Sequence, residues 1–288
     1  MASTPKRVDL LVLGHGWMGS FLLPACKAAG LSTAVTTRDG RDGSIRWTFD
    51  PAADDGYDRL PTASTVVIVF PITAVGGSER LTSAYRRAHP DVEPLFVQLG
   101  SAGAFDLPAV ADEKKRATWI DRHSPVDLSQ ARVAEEKRLL ELAGVHATVL
   151  NLGGLWGGER SIRNVVGRVA PTKDALRGKG SIHMIHGDDV AGAIVAVAQQ
   201  HLKATGQRWL LNDMRVLDWW DLASQFGDGG IAGRGKPATG PYPLWVVELM
   251  AEAGVRSLPR TPDELGRALD GTEFWQTFGV APVRGRAD

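Results

Sequence analysis

Residues 8–20, VDLLVLGHGWMGS, constrain the fold more than any other stretch. An apolar run of strand length ends at Gly14, and Gly16 and Gly19 complete a GxGxxG spacing before a second apolar run, FLLPACKAAG, of helical character. In a strand, glycine bend and helix of this kind, the first glycine permits the tight turn and the second lets a pyrophosphate approach the backbone. The third lets the helix pack closely on the sheet. Free amides and the positive dipole end of the helix attract phosphate. The spacing therefore predicts a dinucleotide-binding turn, with Gly14, Gly16, Trp17, Met18 and Gly19 as its contact residues.

The next part of the chain repeats the alternation. Segments 32–37 (STAVTT), 45–49 (IRWTF), 65–70 (TVVIVF), 94–100 (PLFVQLG) and 145–153 (VHATVLNLG) read as further strands, short and rich in β-branched or aromatic residues. Ser78 to His89 and Leu128 to Ala143 read as helices between them. This is the pattern of an α/β fold with a doubly wound parallel (Rossmann) sheet, its ligand crevice lying at the carboxyl ends of the strands. The expected organisation is a dinucleotide-binding domain over 1–152, with 181–215 returning to the sheet. A smaller C-terminal substrate-binding subdomain would comprise 153–180 and 216–288. The glycine-rich loop at 227–243 has the composition of a mobile lid or of a plain connector.

Composition removes several function classes. Lys+Arg and Asp+Glu both number 33, so there is no net charge to draw nucleic acid or anionic lipid. The single cysteine, Cys26, excludes an internal disulfide and a cysteine-based metal cluster. MASTPKR lacks the apolar region of a secretion signal, and no run approaches membrane-spanning length. The expectation is a cytoplasmic protein that handles a small molecule.

Four segments, in order, resemble the extended short-chain dehydrogenase/reductase family in its NAD-dependent epimerase/dehydratase branch. GHGWMG looks like the family's phosphate loop, QLGSAGAF like its fifth-strand SSxxxY motif, LGGLWGGER like its RxxxxYGPGR segment and IHGDDVAGAI like its HVDDVAxAI helix start. The resemblance covers most of the chain and implies a nicotinamide cofactor. An acidic residue after the second strand would hold a ribose 2′-hydroxyl, whereas a basic one would accept a 2′-phosphate. Here the sequence has Thr37 and Arg38, which favours NADP(H) over NAD(H), unless Arg38 merely pairs with Asp39. Phe70 and Pro71 resemble the positions that wall the adenine and ribose. The family also pairs through helices flanking the sheet, so a homodimer through 128–143 is implied.

The resemblance fails at catalysis, where the family uses a serine with a YxxxK pair. Ser101 matches the serine. The tyrosine position falls on Leu128 and the lysine position on Arg132, and Tyr57, Tyr85 and Tyr242 rebuild no such pair. Arg132 can hold an anion or a ribose but cannot relay a proton, and it could instead simply pair with Glu135 or Glu136. His123, between Asp121 and Asp127, is the best substitute acid/base. His183 and His186, close to Asp188 and Asp189, tempt a metal reading, but no third ligand is evident and the family's equivalents brace a helix start.

For substrate, Trp156, Trp219, Trp220, Trp245 and Trp275 offer flat apolar surface, and Arg160 and Arg163 offer charge. Trp156, Arg160, Trp219 and Trp245 are the candidate substrate contacts, for a small, largely apolar or aromatic compound. Three readings stay open: an atypical NADP(H)-dependent reductase or epimerase, a non-redox isomerase or cyclase that uses the nucleotide structurally, and a non-catalytic NADP(H) sensor.

Overall fold

Strands buried on both faces read as near-continuous apolar runs, and such runs build the centre of this protein. The computed structural model describes residues 7–107, 119–227 and 240–285. A seven-stranded sheet is formed by β1 (Arg7–Leu13), β2 (Thr33–Thr37), β3 (Ile45–Arg46), β4 (Thr62–Ile68), β5 (Leu95–Ser101), β7 (His146–Leu152) and β11 (Gln207–Leu211). Its order is β11-β7-β5-β4-β1-β2-β3, and every neighbouring pair is parallel. The order reverses between β1 and β4, so a crevice opens at their carboxyl ends, where an open parallel sheet binds its ligand. The expected doubly wound sheet is therefore the observed one.

Helices cover both faces. On one side, α1 (Gly16–Ala28), α6 (Gly187–Gln199) and α11 (Thr272–Phe278) bury Leu22, Cys26, Ile194, Phe274 and Phe278 against the sheet. On the other, α2 (Gly77–Ala88) and α3 (Ala131–Glu141) bury Leu81, Tyr85 and Leu139. Each such side chain is worth about 1.5–3 kcal/mol of burial. The first turn of α2 is closed from outside. Glu135 of α3 accepts hydrogen bonds from the amides of Gly76 and Ser78, placing a carboxylate at the positive end of the helix.

Some element boundaries differ from the sequence reading for local reasons. The third strand ends at Arg46, because Trp47 and Phe49 turn aside to pack with Tyr57 and Phe70. The helix expected from Leu128 begins at Ala131, since Asp127 folds back on the amide and hydroxyl of Ser129.

Past the sheet, β8 (Gly154–Trp156) pairs with β10 (Met184–His186), β9 (Ser181–Ile182) with β12 (Leu217–Asp218), and β6 (Trp119–Ile120) with β13 (Ala268–Leu269). α4 (Ile162–Val169), α5 (Lys173–Arg177), α8 (Trp219–Ser224) and α9 (Tyr242–Ala253) enclose a separate apolar cluster built on Trp219, Trp220 and Tyr242. The remaining short helices are α7 (His201–Ala204) and α10 (Pro262–Leu265). The lid expected at 227–243 falls largely outside the described residues. No helix among the described residues is long and apolar enough to cross a membrane.

Candidate functional site

The crevice at the β1/β4 reversal is a cleft of about 950 Å³. Its floor is the glycine bend. Gly14 and Gly16 hold φ of +93° and +45°, a region that side chains with a Cβ rarely adopt, and a Cβ placed on Gly16 would meet nothing within 4 Å. The bend thus opens into the cleft, which Gly14, Gly16, Trp17 and Met18 line. The first turn of α1 contains no acidic residue, and His15 gives it no side-chain cap. Its leading amides have no partner within the helix. The next strand anchors the bend, since Gly14 N donates to Thr36 Oγ1 and His15 N to Thr36 O.

A Cβ at Gly19 would lie 2.8 Å from the His15 imidazole, so this glycine makes room for His15.

Thr37 and Arg38 follow Thr36 at the end of β2, just outside the cleft lining. The Thr37 hydroxyl turns to its own loop, 2.9 Å from Gly40 N and 2.6 Å from Ser44 Oγ. Arg38 is exposed, and Asp39, its expected alternative partner, pairs with Arg41 instead at 3.5 Å. Phe70 and Pro71 line the cleft, with Phe70 stacked on Phe49 at 5.7 Å.

Ser101 and Arg132 line the same cleft. The Ser101 Oγ accepts from Gly103 N at 3.2 Å and so also starts the turn after β5. Arg132 is held from behind. It donates through Nε to Glu136 at 3.1 Å and through Nη2 to the Leu99 carbonyl. Glu136, 3% exposed, accepts as well from Asn151 Nδ2 at 3.0 Å and Arg208 Nη1 at 2.7 Å, and Arg208 also donates to Asn151 Oδ1. Gly100 leaves the space for this network: a Cβ there would collide with the Asn151 amide and sit 2.9 Å from Glu136 Oε1. Of the two partners considered for Arg132, Glu136 is the one observed.

His123 does not join the cleft. Its imidazole is 63% exposed and pairs with Glu273 of α11 at 2.9 Å, beside the Arg122–Glu273 ion pair. Asp121 and Asp127 are spent on local turns, Asp121 accepting from the amides of His123 and Ser124. The expected substitute acid/base is thus a surface residue tied to a helix. No tyrosine lines the cleft: Tyr57 and Tyr85 are buried under the sheet, where burial pushes their phenols well above the usual range, and Tyr242 is in the second core.

The tryptophans are also redistributed. Trp219 and Trp220 are core residues, Trp245 packs against that core with its ring 5.3 Å from Tyr242, and Trp275 is buried with its indole nitrogen donating to Asn212 O. Trp156 stands edge-on to His186 at 4.5 Å and does not line the cleft. The flat apolar wall expected from these rings is absent because their area serves packing. Arg160 does line the cleft, its guanidinium 4.4 Å above the Trp17 ring, and Arg168, which the sequence reading missed, lines it too. The side chain of Arg163 lies outside the described residues.

Around Trp17 the chain is tightly wedged. Trp17 Nε1 donates to Gly157 O, and Phe21 packs on Trp17 at 4.6 Å and on His186 at 5.4 Å. A Cβ at Gly157 would collide with His186, and one at Gly187 with Phe21. His186 caps α6 through Nδ1, which accepts from Asp188 N. The two carboxylates lie in the first turn of that helix, as expected, and also hold the C-terminal segment, Asp189 accepting from Val283 N and Arg284 N, and Asp188 from the Arg284 guanidinium.

Comparison with known proteins matches this architecture. No family model matches the chain. Protein YeeZ of Escherichia coli K12 is 26% identical over 211 residues, spanning 65% of this chain and 72% of that protein. Human epimerase family protein SDR39U1, solved with NADPH, superposes with a TM-score of 0.60 at 17% identity over 98% of this chain and 96% of its own. RMD from Pseudomonas aeruginosa complexed with NADPH gives 0.59 at 14% over 96% and 93%, and UDP-N-acetylglucosamine 4-epimerase from Bacillus cereus 0.58 at 10% over 96% and 95%. The chain has the fold of the extended short-chain dehydrogenase/reductase and epimerase structures across nearly its whole length.

Proposed function

We propose that the cleft binds a nicotinamide dinucleotide, NADP(H) in preference to NAD(H), and that the protein is an oxidoreductase or epimerase-type enzyme acting on a small molecule without a tyrosine–lysine pair. One observation carries the reading: the uncapped glycine bend, Ser101 and Arg132 line a single cleft at the strand-order reversal. The residues suit the cofactor. A diphosphate meets amides and a helix dipole where no side chain competes, and Phe70 and Pro71 offer a wall for the adenine side. That human SDR39U1 and RMD were solved with NADPH agrees with this. A nicotinamide, when bound, supplies hydride chemistry.

The chain's own groups then divide the work. The Ser101 hydroxyl, already accepting from Gly103 N, keeps its hydrogen to donate to a substrate oxygen. Arg132, fixed by Glu136 and Leu99 O, presents a permanent positive charge to a ribose or a developing oxyanion. Ser101→Ala is expected to lower kcat about a hundredfold, the scale of one lost oxyanion donor, with NADPH affinity unchanged. Steady-state turnover read at 340 nm beside calorimetric titration checks this, and an unchanged kcat refutes the role.

Arg38 supports the NADP(H) preference, as an exposed guanidinium two residues beyond the strand position that anchors the glycine bend. Arg38→Glu is expected to weaken NADPH binding roughly tenfold to a hundredfold, the scale of a lost charge-assisted pair with a phosphate, while NADH binding holds or improves. Equal losses for both coenzymes contradict the assignment.

A non-redox reading has one observation in its favour: no tyrosine lines the cleft, and none of Arg132, Arg160 and Arg168, which do, relays protons. Under it, product accumulates while the bound nucleotide keeps its absorbance at 340 nm.

A further inference from the structure

Beside the main cleft lies a side pocket of about 200 Å³, which shares Ser101, Leu152 and Gly153 with it and adds Ser181, His183 and Arg267 as walls. Four separate parts of the chain meet there: the end of β5, the end of β7, β9 with the residue that follows it, and the segment entering β13.

The walls present hydrogen-bond donors beside one ion pair, Arg267 with Asp106, whose carboxylate also lines the pocket. His183 is 4% exposed, and its Nε2 accepts from Leu269 N at 2.9 Å. Burial and the nearby Arg267 hold the ring neutral, with a pKa pushed down to about 4. A neutral imidazole whose Nε2 accepts carries its hydrogen on Nδ1. That Nδ1–H is buried and has no partner among the described residues, and neither has the buried Ser181 Oγ. Arg267 at the rim bonds Asp106 at 2.6 Å and reaches Ala102 O at 3.4 Å. Folded proteins rarely leave buried polar atoms unpaired, and two in one small pocket mark a place built for an acceptor that arrives later.

We propose that this pocket takes a carboxylate of the substrate: Ser181 and His183 donate to its oxygens while Arg267, shared with Asp106, faces its charge. The substrate is then an oxo or hydroxy acid whose reacting carbon lies a few bonds from the carboxylate, a step that rests on the dinucleotide reading of the adjoining cleft. Charge distinguishes a carboxylate from a phosphate. A single guanidinium, already shared with the half-exposed Asp106, suits a monoanion better than a dianion.

The test uses oxamate as probe, titrated calorimetrically into the full chain with and without saturating NADPH, with acetamide and inorganic phosphate in parallel. Oxamate is expected to bind at least tenfold more tightly than either. Ser181→Ala is expected to weaken oxamate about tenfold, the scale of one hydrogen bond, and Arg267→Gln about a hundredfold, both without change in NADPH affinity. Ser181→Ala removes a hydroxyl that bonds nothing in the fold, so its melting temperature holds, and loss of oxamate binding there cannot be ascribed to unfolding. Equal affinity for acetamide, tighter binding of phosphate, or oxamate affinity unchanged in both variants overturns the proposal. Failure of NADPH to bind, with oxamate still sensitive to Ser181→Ala, removes the cofactor reading alone and leaves the pocket.

Discussion

Glu136→Ala is expected to lower the stability of the fold by about 3–5 kcal/mol, the range for removing one partner of a buried ion pair. The carboxylate is 3% exposed and accepts from Arg132, Asn151 and Arg208, with Arg208 itself only 11% exposed. Truncation leaves the Arg208 guanidinium enclosed without its counter-charge, and that uncompensated charge dominates the loss. For a chain of this length the melting temperature should fall by roughly 10 °C, and urea denaturation gives the free energy directly. The same variant frees Arg132, so binding in the cleft should weaken with stability. Glu136→Gln keeps the shape and one acceptor and should lose less. A change below about 1 kcal/mol, the scale of an exposed ion pair, would mean that water reaches the network.

Gly14→Val should abolish NADPH binding, by more than about a hundredfold or roughly 2.7 kcal/mol, while the protein remains folded. At φ +93° a β-branched residue is strained by about 1–3 kcal/mol. Its Cβ would also begin 3.5 Å from Phe70, and its methyl groups would compete with the diphosphate for the space over the helix start. Stability should drop by a few degrees in thermal unfolding, whereas calorimetric heat for NADPH disappears. Retained nanomolar-to-micromolar binding in this variant would move the nucleotide away from the bend and sink the functional reading.

What was legible in the sequence is what lies close together along it. The glycine bend, its strand and its helix are contiguous, and local chemistry fixes them. Arg132 follows from a fixed offset within one helix, and its pairing with Glu136 is the helical i,i+4 relation. His123 misled because a loop histidine between two aspartates looks reactive; Glu273, 150 residues later, decides its fate. The tryptophans misled for a related reason, since composition cannot tell a ring that lines a cleft from one that fills a core. The side pocket was illegible, because Ser101, His183 and Arg267 meet only through three distant strand ends. The Glu136 network did leave one signal: Asn151 interrupts the apolar run VLNLG, and a polar residue at the centre of a buried strand requires partners.

The wedge around Trp17 bears on how a ligand enters. Because Gly157 and Gly187 admit no side chain and the Arg160 guanidinium sits over the indole, the arm bearing Leu155 and Arg160 is packed tightly against the helix that follows the glycine bend. Hinging the two jaws apart at this seam would break these contacts. A ligand meets a mould already set during folding, so little ordering entropy is charged at the moment of capture, and any gating motion belongs to segments that do not touch this joint.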